Sequence, residues 1–353
     1  MYDRAKVVTT GSGPSAHLSA IDEEIRSVLS QPDQGLQPFY GMMLYHLGLD
    51  AESSGKRLRP LTLTLLYEAL AGDITPVLPA AAAIELLHNF TLIHDDIEDQ
   101  DPTRRHRPTV WSVWGIPQAI NAGDGMYAVS RLAVHRLTDR GVAAERVLGF
   151  AALVDRACVE VCEGQFLDIS YESRTDVTAE RYRAMVAKKT SALFSPAAEG
   201  AAVLARDDAE LRASLVRFGA DFGQAFQAHD DLLGIWGTAD RTGKVEMNDI
   251  AKRKKTLPVV LAFERAAPRV RATLEGLYAA AAPLPPETVD RVRDILDDLK
   301  VRDLMEREIG IHRERALHEL RSVRDSATDV TPLQHLEKLV EAATGAPEVA
   351  AAR

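Results

Sequence analysis

"LIHDDIEDQDPTRRHRPT", residues 92–109, packs Asp95, Asp96, Glu98, Asp99 and Asp101 into seven positions and follows them with Arg104 and Arg105. The run before it, "AAAIELLHNFT", residues 81–91, is apolar at helical spacing and reads as a buried helix. On that helix Asp95 and Asp99 share a face, and Asp96 points about 100° away. Like charges at that spacing repel, and a helix C-terminus already carries partial negative charge. The arrangement is unfavourable unless something cationic offsets it.

A second acidic pair, Asp230 and Asp231, ends another apolar stretch, "FGQAFQAHDDLLGIWG", residues 222–237. If the two helices lie side by side in parallel, their carboxylates face each other across one cavity mouth. Magnesium suits such a mouth. It takes oxygen ligands, gives up water reluctantly, and is held by one or two carboxylates together with substrate phosphates. The basic residues are distributed to match. "SSGKRLRP" supplies Lys56, Arg57 and Arg59, and "AKKTSALF" supplies Lys188, Lys189 and Thr190. Lys244 and the run Lys252, Arg253, Lys254, Lys255 follow the second acidic pair. Arginine reads phosphate bidentately, and lysine acts as a point charge.

The chain has 353 residues, 46% hydrophobic and 27% charged, the profile of a soluble globular protein. Its formal net charge of −10 argues against nonspecific nucleic-acid binding. Cys158 and Cys162 stand at i, i+4 without a second pair and read as packing residues, a usage that fits a reducing compartment. The N-terminal residues carry no apolar signal-peptide core, and no segment is expected to reach the ~20 apolar residues of a membrane span. The expected location is the cytoplasm.

Helix formers dominate, and alternating β-branched runs are almost absent. Helices are expected over 16–30, 36–48, 58–71, 77–99, 116–137, 142–168, 178–204, 208–235, 254–265, 267–281, 286–309, 311–326 and 332–343. The breakers "SRTD", "GTADRTGKVEMND" and "APLPPET" fall between them. One all-α domain over 15–343 is the simplest organisation, with disorder expected at 1–14 and 344–353.

"GKRLRP", "LLHNFTLIHDDIEDQDPTRRHRPT", "GDGMYAVS", "GQFLDI", "KKTSALF", "FGQAFQAHDDLLGIWG" and "KRKKTLP" occur in this order over about residues 50–260. In these segments the chain resembles the trans-isoprenyl diphosphate synthases, the polyprenyl synthetase family, and most resembles its short-chain members. The resemblance implies an all-α bundle of roughly ten or more helices around a deep central cavity, and usually a homodimer. It implies that Asp95, Asp96 and Asp99 bind magnesium and an allylic diphosphate, and that Asp230, with Asp231 nearby, holds a further ion. About three magnesium ions per site are expected. Arg104, Lys189 and Lys244 would contact the allylic diphosphate, with Thr190, Gln227 and Lys254 as remaining polar contacts. Lys56, Arg57, His88 and Arg105 would hold isopentenyl diphosphate. Gln165 and Asp168 match a further family element. Two positions depart from the pattern. Gly234 stands where a fifth-position carboxylate is common, and His106 where glycine usually follows the arginine pair.

The implied reaction is head-to-tail condensation. Cations stabilise the departing diphosphate, the double bond of isopentenyl diphosphate attacks the allylic cation, and a proton leaves to the released diphosphate. Water must be excluded, which explains a charged rim on apolar helices. Phe90 and Thr91 lie below Asp95 on the same helix, Phe90 by roughly 7.5 Å. With Tyr127 they read as the floor that sets product length, here C20 geranylgeranyl diphosphate, with C15 farnesyl diphosphate as the alternative. A class I terpene cyclase would share the acidic motif and the metal but has no use for a second diphosphate site. A non-catalytic partner subunit would be free to lose the metal ligands that this chain keeps.

Overall fold

The computed structural model describes residues 13–30, 33–50, 55–172, 174–206, 208–237, 248–279 and 283–346. The apolar runs fold as helices almost throughout. The N-terminal part comprises α1 (Pro14–Val28), α2 (Gln37–His46), α3 (Leu58–Ala71) and α4 (Leu78–Glu98). A two-residue hairpin follows, β1 (Thr103–Arg104) antiparallel to β2 (Arg107–Pro108). Next come α5 (Val110–Trp114), α6 (Ile116–Asp139), α7 (Ala144–Glu172), α8 (Ala179–Val186), α9 (Ala192–Ala205) and α10 (Ala209–Trp236). The C-terminal part holds α11 (Asn248–Ala251), α12 (Leu257–Arg265), α13 (Pro268–Ala279), α14 (Pro286–Asp298), α15 (Val301–Ser322) and α16 (Thr331–Ala343).

The helix ends follow local chemistry. Asp208 accepts from the Leu211 amide at 3.0 Å and caps α10; Thr178 accepts from Arg181 and caps α8. Gly72, at φ 87°, ends α3. Two expectations are corrected here. The stretches 286–309 and 311–326 divide at Lys300, which takes φ 55°, and Gly310 lies inside α15. The stretch expected as one helix over 178–204 is interrupted by a π-helical turn at Ala187–Ser191. The hairpin, α5 and α11 were not anticipated, because each is too short to show a period. The disorder expected at the termini falls on residues 1–12 and 347–353, outside the described residues; Pro14 begins α1, and Thr344 is buried.

Thr75–Glu98 is long and apolar enough to cross a membrane by length and composition, at mean hydropathy 1.4, against the expectation that no segment would be. Seventy-two per cent of that window is buried inside the protein, so it is the central core helix. It packs along α6, and α10 packs along α15 and α9.

The apolar side chains form two cores. One gathers α1–α7, α9, the first half of α10, the second half of α15, and α16. The other gathers the end of α7, α8, the last turns of α10, α12–α14 and the first half of α15. The π-helical turn sits between them, since Val186 belongs to one core and Ala192 to the other. Glycines let its backbone approach both flanking helices. A Cβ on Gly164 of α7 would stand 2.4 Å from the Lys189 backbone nitrogen, and one on Gly223 of α10 would stand 2.5 Å from Ser191 Cα. π turns are rare and recur at functional sites.

Gly164→Ala forces the π-helical turn off α7, and overpacking of this kind costs about 1–3 kcal/mol. Gly276 of α13 has nothing within 4 Å of a built Cβ. Gly276→Ala is expected to gain up to about 1 kcal/mol from helix propensity. Urea denaturation of both variants checks the pair; equal stability changes contradict the close approach.

Candidate active site

The cationic partner that the acidic run requires comes from two distant segments. Lys189 Nζ, on the π-helical turn, lies 3.2 Å from Asp95 Oδ1 and 2.6 Å from Asp168 Oδ2 on α7. Lys254, just after α11, holds Asp99, and Lys252 holds Asp101. Burial raises the Asp95 carboxyl, but Lys189, Lys254 and Arg104 overcome it and hold the group below the usual carboxylate range. Burial disfavours the charged forms of Lys189 and Lys254, yet Asp95, Asp168 and Asp99 push both ammonium groups above their ordinary value.

The second aspartate of each pair turns inward. Asp96 is 1% exposed and takes Arg104 Nε at 2.7 Å; burial still raises it to about 6. Asp231 is 2% exposed. It accepts from Tyr182 Oη at 2.7 Å, Gln227 Nε2 at 2.9 Å and the Leu257 amide at 3.2 Å, while burial raises it to about 7. Both were expected as metal ligands. In this structure both oxygens of Asp231 and one oxygen of Asp96 are held by protein donors, and the two residues brace the helix ends. Asp230, one residue before Asp231, is exposed.

The two arms are joined through the π-helical turn. Lys189 reaches Asp95 on one side, and on the other Thr190 Oγ1 donates to Gln227 Oε1 at 2.8 Å, with Gln227 in turn on Asp231. Gln165 donates to Glu98, one residue before Asp99. The glycine at 234 has a physical counterpart. A Cβ there would lie 2.1 Å from Asp249 Oδ2, so a carboxylate from α11 occupies the space that a side chain at 234 would take. Lys244 lies outside the described residues.

A separate group of cations gathers around His88, near the middle of α4 and beside the acidic end. Arg59 is 8% exposed, with its guanidinium carbon 4.4 Å from the centre of the Phe194 ring and its Nε without a hydrogen-bond partner among the described residues. Burial lowers Arg59 to about 10, with Arg105 adding to the effect and Glu85 opposing it. His88, its Nδ1 also unpartnered, is held neutral by burial and by Arg59, Arg105 and Arg104. Arg105 is lowered by burial and by Arg104 and Arg57, against the pull of Glu85 and Asp96. Its guanidinium lies against Gly55, where a Cβ would stand 2.6 Å from Nη1. Arg59 is buried, His88 half-buried and Arg105 exposed, and together these donors form a cradle for an anion. Exposed Lys56 and Asp230 both act on the His229 ring, which is lowered first by burial, so the loop lysine and the second aspartate arm share one neighbourhood.

Arg57 is the correction in this cradle. Its guanidinium donates to Asp22 at 3.0 Å, Glu85 at 2.8 Å and the Leu47 carbonyl at 2.9 Å, so each of its three nitrogens already serves the protein, and the residue is only 2% exposed. Arg59, two positions on, belongs to the same basic run, and the family resemblance assigns it no contact. Its place in the first turn of α3 turns it toward His88 and Arg105. Arg105 and His106 take φ 50° and 61°, the two left-handed positions of the β1–β2 turn. His106 therefore occupies a conformation that glycine adopts without cost. Phe90, 8% exposed, packs against Tyr127 with ring centroids 5.3 Å apart, and Thr91 Oγ1 donates to the His88 carbonyl.

Among the described residues no three acidic, histidine or cysteine side chains gather tightly enough to hold a cation by themselves. The outward carboxylates Asp95, Asp99 and Asp230 are all oxygen donors. They fit magnesium in the mode in which substrate diphosphate and water complete its shell.

The sequence profile of the family described as polyprenyl synthetase matches residues 43–299. The chain is 43% identical over 263 residues to a geranylgeranyl diphosphate synthase of Mycobacterium tuberculosis, spanning 72% of this chain and 73% of that protein. It is 38% identical over 246 residues to a (2E,6E)-farnesyl diphosphate synthase of Mycobacterium bovis, spanning 68% and 66%. The fold matches a geranylgeranyl pyrophosphate synthase of Corynebacterium glutamicum, solved with isoprenyl diphosphate and magnesium. That match has a TM-score of 0.81 at 26% identity and covers 93% of this chain and 98% of that one.

Arg57→Leu leaves Glu85 buried without its charge partner, a loss of about 3–5 kcal/mol. Arg59→Leu removes no ion pair and is expected to change stability by under about 1 kcal/mol. Urea denaturation separates the two; equal losses would contradict the division between a structural and a site arginine.

Proposed function

The chain belongs to the polyprenyl synthetase family, and on that premise we propose that it condenses isopentenyl diphosphate head to tail with an allylic diphosphate to give geranylgeranyl diphosphate. It is a prenyltransferase. One observation carries the reading: an acidic cluster bound by lysines lies beside an anion cradle that the protein itself leaves unneutralised. One diphosphate would sit on each.

The allylic diphosphate would meet Lys189, Arg104 and Lys254, the cations that hold Asp95, Asp96 and Asp99 here. As it arrives, these side chains exchange carboxylate oxygens for phosphate oxygens, which frees Asp95 and Asp99 as metal ligands with Asp230 opposite. About three magnesium ions, when bound, would neutralise charge on the leaving diphosphate. Asp96 and Asp231 position their neighbours. Lys56, Arg59, His88 and Arg105 would bind isopentenyl diphosphate, with His88 as a neutral donor. The allylic carbon–oxygen bond breaks, the isopentenyl double bond forms the new carbon–carbon bond, and the proton lost passes to the released diphosphate. Gln227 and Thr190 hold the two arms in register.

Phe90 against Tyr127 supports a floor that stops growth at C20, in keeping with the name of the mycobacterial relative at 43% identity. The relative named farnesyl diphosphate synthase keeps C15 as the second reading. A homodimer is proposed through α6 and α7, where Leu132, Val159 and Phe166 are 62%, 59% and 70% exposed. Large apolar side chains grouped in this way mark interaction surfaces.

Purified chain with magnesium, isopentenyl diphosphate and farnesyl diphosphate is expected to yield C20 alcohol after dephosphorylation and to sediment as a dimer. Phe90→Ala should extend the products beyond C20. Absence of condensation overturns the reading; unchanged products from Phe90→Ala remove the floor, and a monomer removes the interface.

A further inference from the structure

Beside the acidic cluster, two buried polar atoms have no hydrogen-bond partner among the described residues: Nε2 of His46 and Oδ2 of Asp96. Both residues line one small recess, with a cavity volume of about 30 Å3, where the end of α2 meets the β1–β2 hairpin. Arg104, Arg105 and Arg107 line it as well. The other Asp96 oxygen is committed to Arg104, and Arg107 is paired with Asp50 and stacked over Tyr45.

Leaving a buried polar atom unsatisfied costs about 1–3 kcal/mol, so two at one recess call for a guest. Its chemistry follows from the walls. A cation meets three guanidinium groups, and an anion meets a carboxylate oxygen that needs a donor. An apolar group satisfies neither atom. A small neutral guest that both donates and accepts satisfies both, and a cavity of about 30 Å3 leaves room for one or two ordered waters, each needing roughly 10–15 Å3. Burial first, then Arg104, Arg105 and Arg57, hold the His46 ring neutral, so it presents one donor and one acceptor nitrogen.

We propose that His46 is a positioning residue of the condensation site, holding Asp96 through ordered water in this recess. Asp96 in turn aims Arg104, whose Nη2 lies 3.7 Å from Asp95. The helix before the Lys56 loop is thereby coupled to the allylic diphosphate arm, and this consequence rests on the function proposed above.

A high-resolution crystal structure of the ligand-free chain is expected to show water within about 3.2 Å of both His46 Nε2 and Asp96 Oδ2, directly or through a second water. A dry recess overturns the proposal whatever the enzyme makes. In kinetics, His46→Phe keeps the ring and removes both nitrogens, and it should raise KM for the allylic diphosphate about tenfold while KM for isopentenyl diphosphate stays within about twofold. His46→Gln, which restores a donor and an acceptor, should return the allylic KM to within about threefold of the parent. Equal rises in both KM values, or a Gln variant as impaired as the Phe variant, would overturn the role; failure of the parent to condense the two diphosphates bears only on the proposed function.

Discussion

Lysines borrowed from distant segments hold together an acidic helix end that would otherwise repel itself. Asp95 and Asp99 share one face of α4, close to the partial negative charge of its C-terminus. Lys189 and Lys254 reach them from the π-helical turn and from the loop after α11. These pairs are partly buried, where charges interact more strongly than in water. They are also exchangeable, because each cation could pair as well with a phosphate oxygen. Under the proposed function, the protein stores a diphosphate site as a set of internal ion pairs.

Placing those lysines depends on two apolar cores that meet at one turn. Val186 and Ala192 belong to different cores, and the five residues between them abandon α-helical phasing. Lys189 consequently faces α4 and Thr190 faces α10. A regular helix would place successive residues about 100° apart but would not bring both arms to this junction. The glycines at 164 and 223 admit the turn on both sides. Core packing, rather than local propensity, sets the spacing of the functional groups.

Much of this was legible in the residues. The all-α class followed from composition and period, and α3 fell on the residues expected for it. The i, i+4 rule already separates Asp96 from Asp95 and Asp99. Other features were hidden because they depend on through-space partners. Arg57 and Arg59 look alike in "GKRLRP", and only Glu85 and Asp22 on neighbouring helices distinguish the structural arginine from the one in the cradle. The carboxylate missing at Gly234 is met by Asp249, fifteen positions on, which no spacing rule indicates. His46 belongs to no motif and stands out only through its unpartnered nitrogen.

The central claim is that Asp95 on α4 and Asp230 on α10 act on one diphosphate through shared metal. Calorimetric titration of inorganic pyrophosphate in the presence of magnesium tests it most directly, with Asp95→Asn and Asp230→Asn compared against the parent chain. Each variant is predicted to lose at least about tenfold in affinity, with no difference among the three chains when magnesium is chelated. Pyrophosphate binding by Asp230→Asn that equals the parent with magnesium present would contradict a shared site.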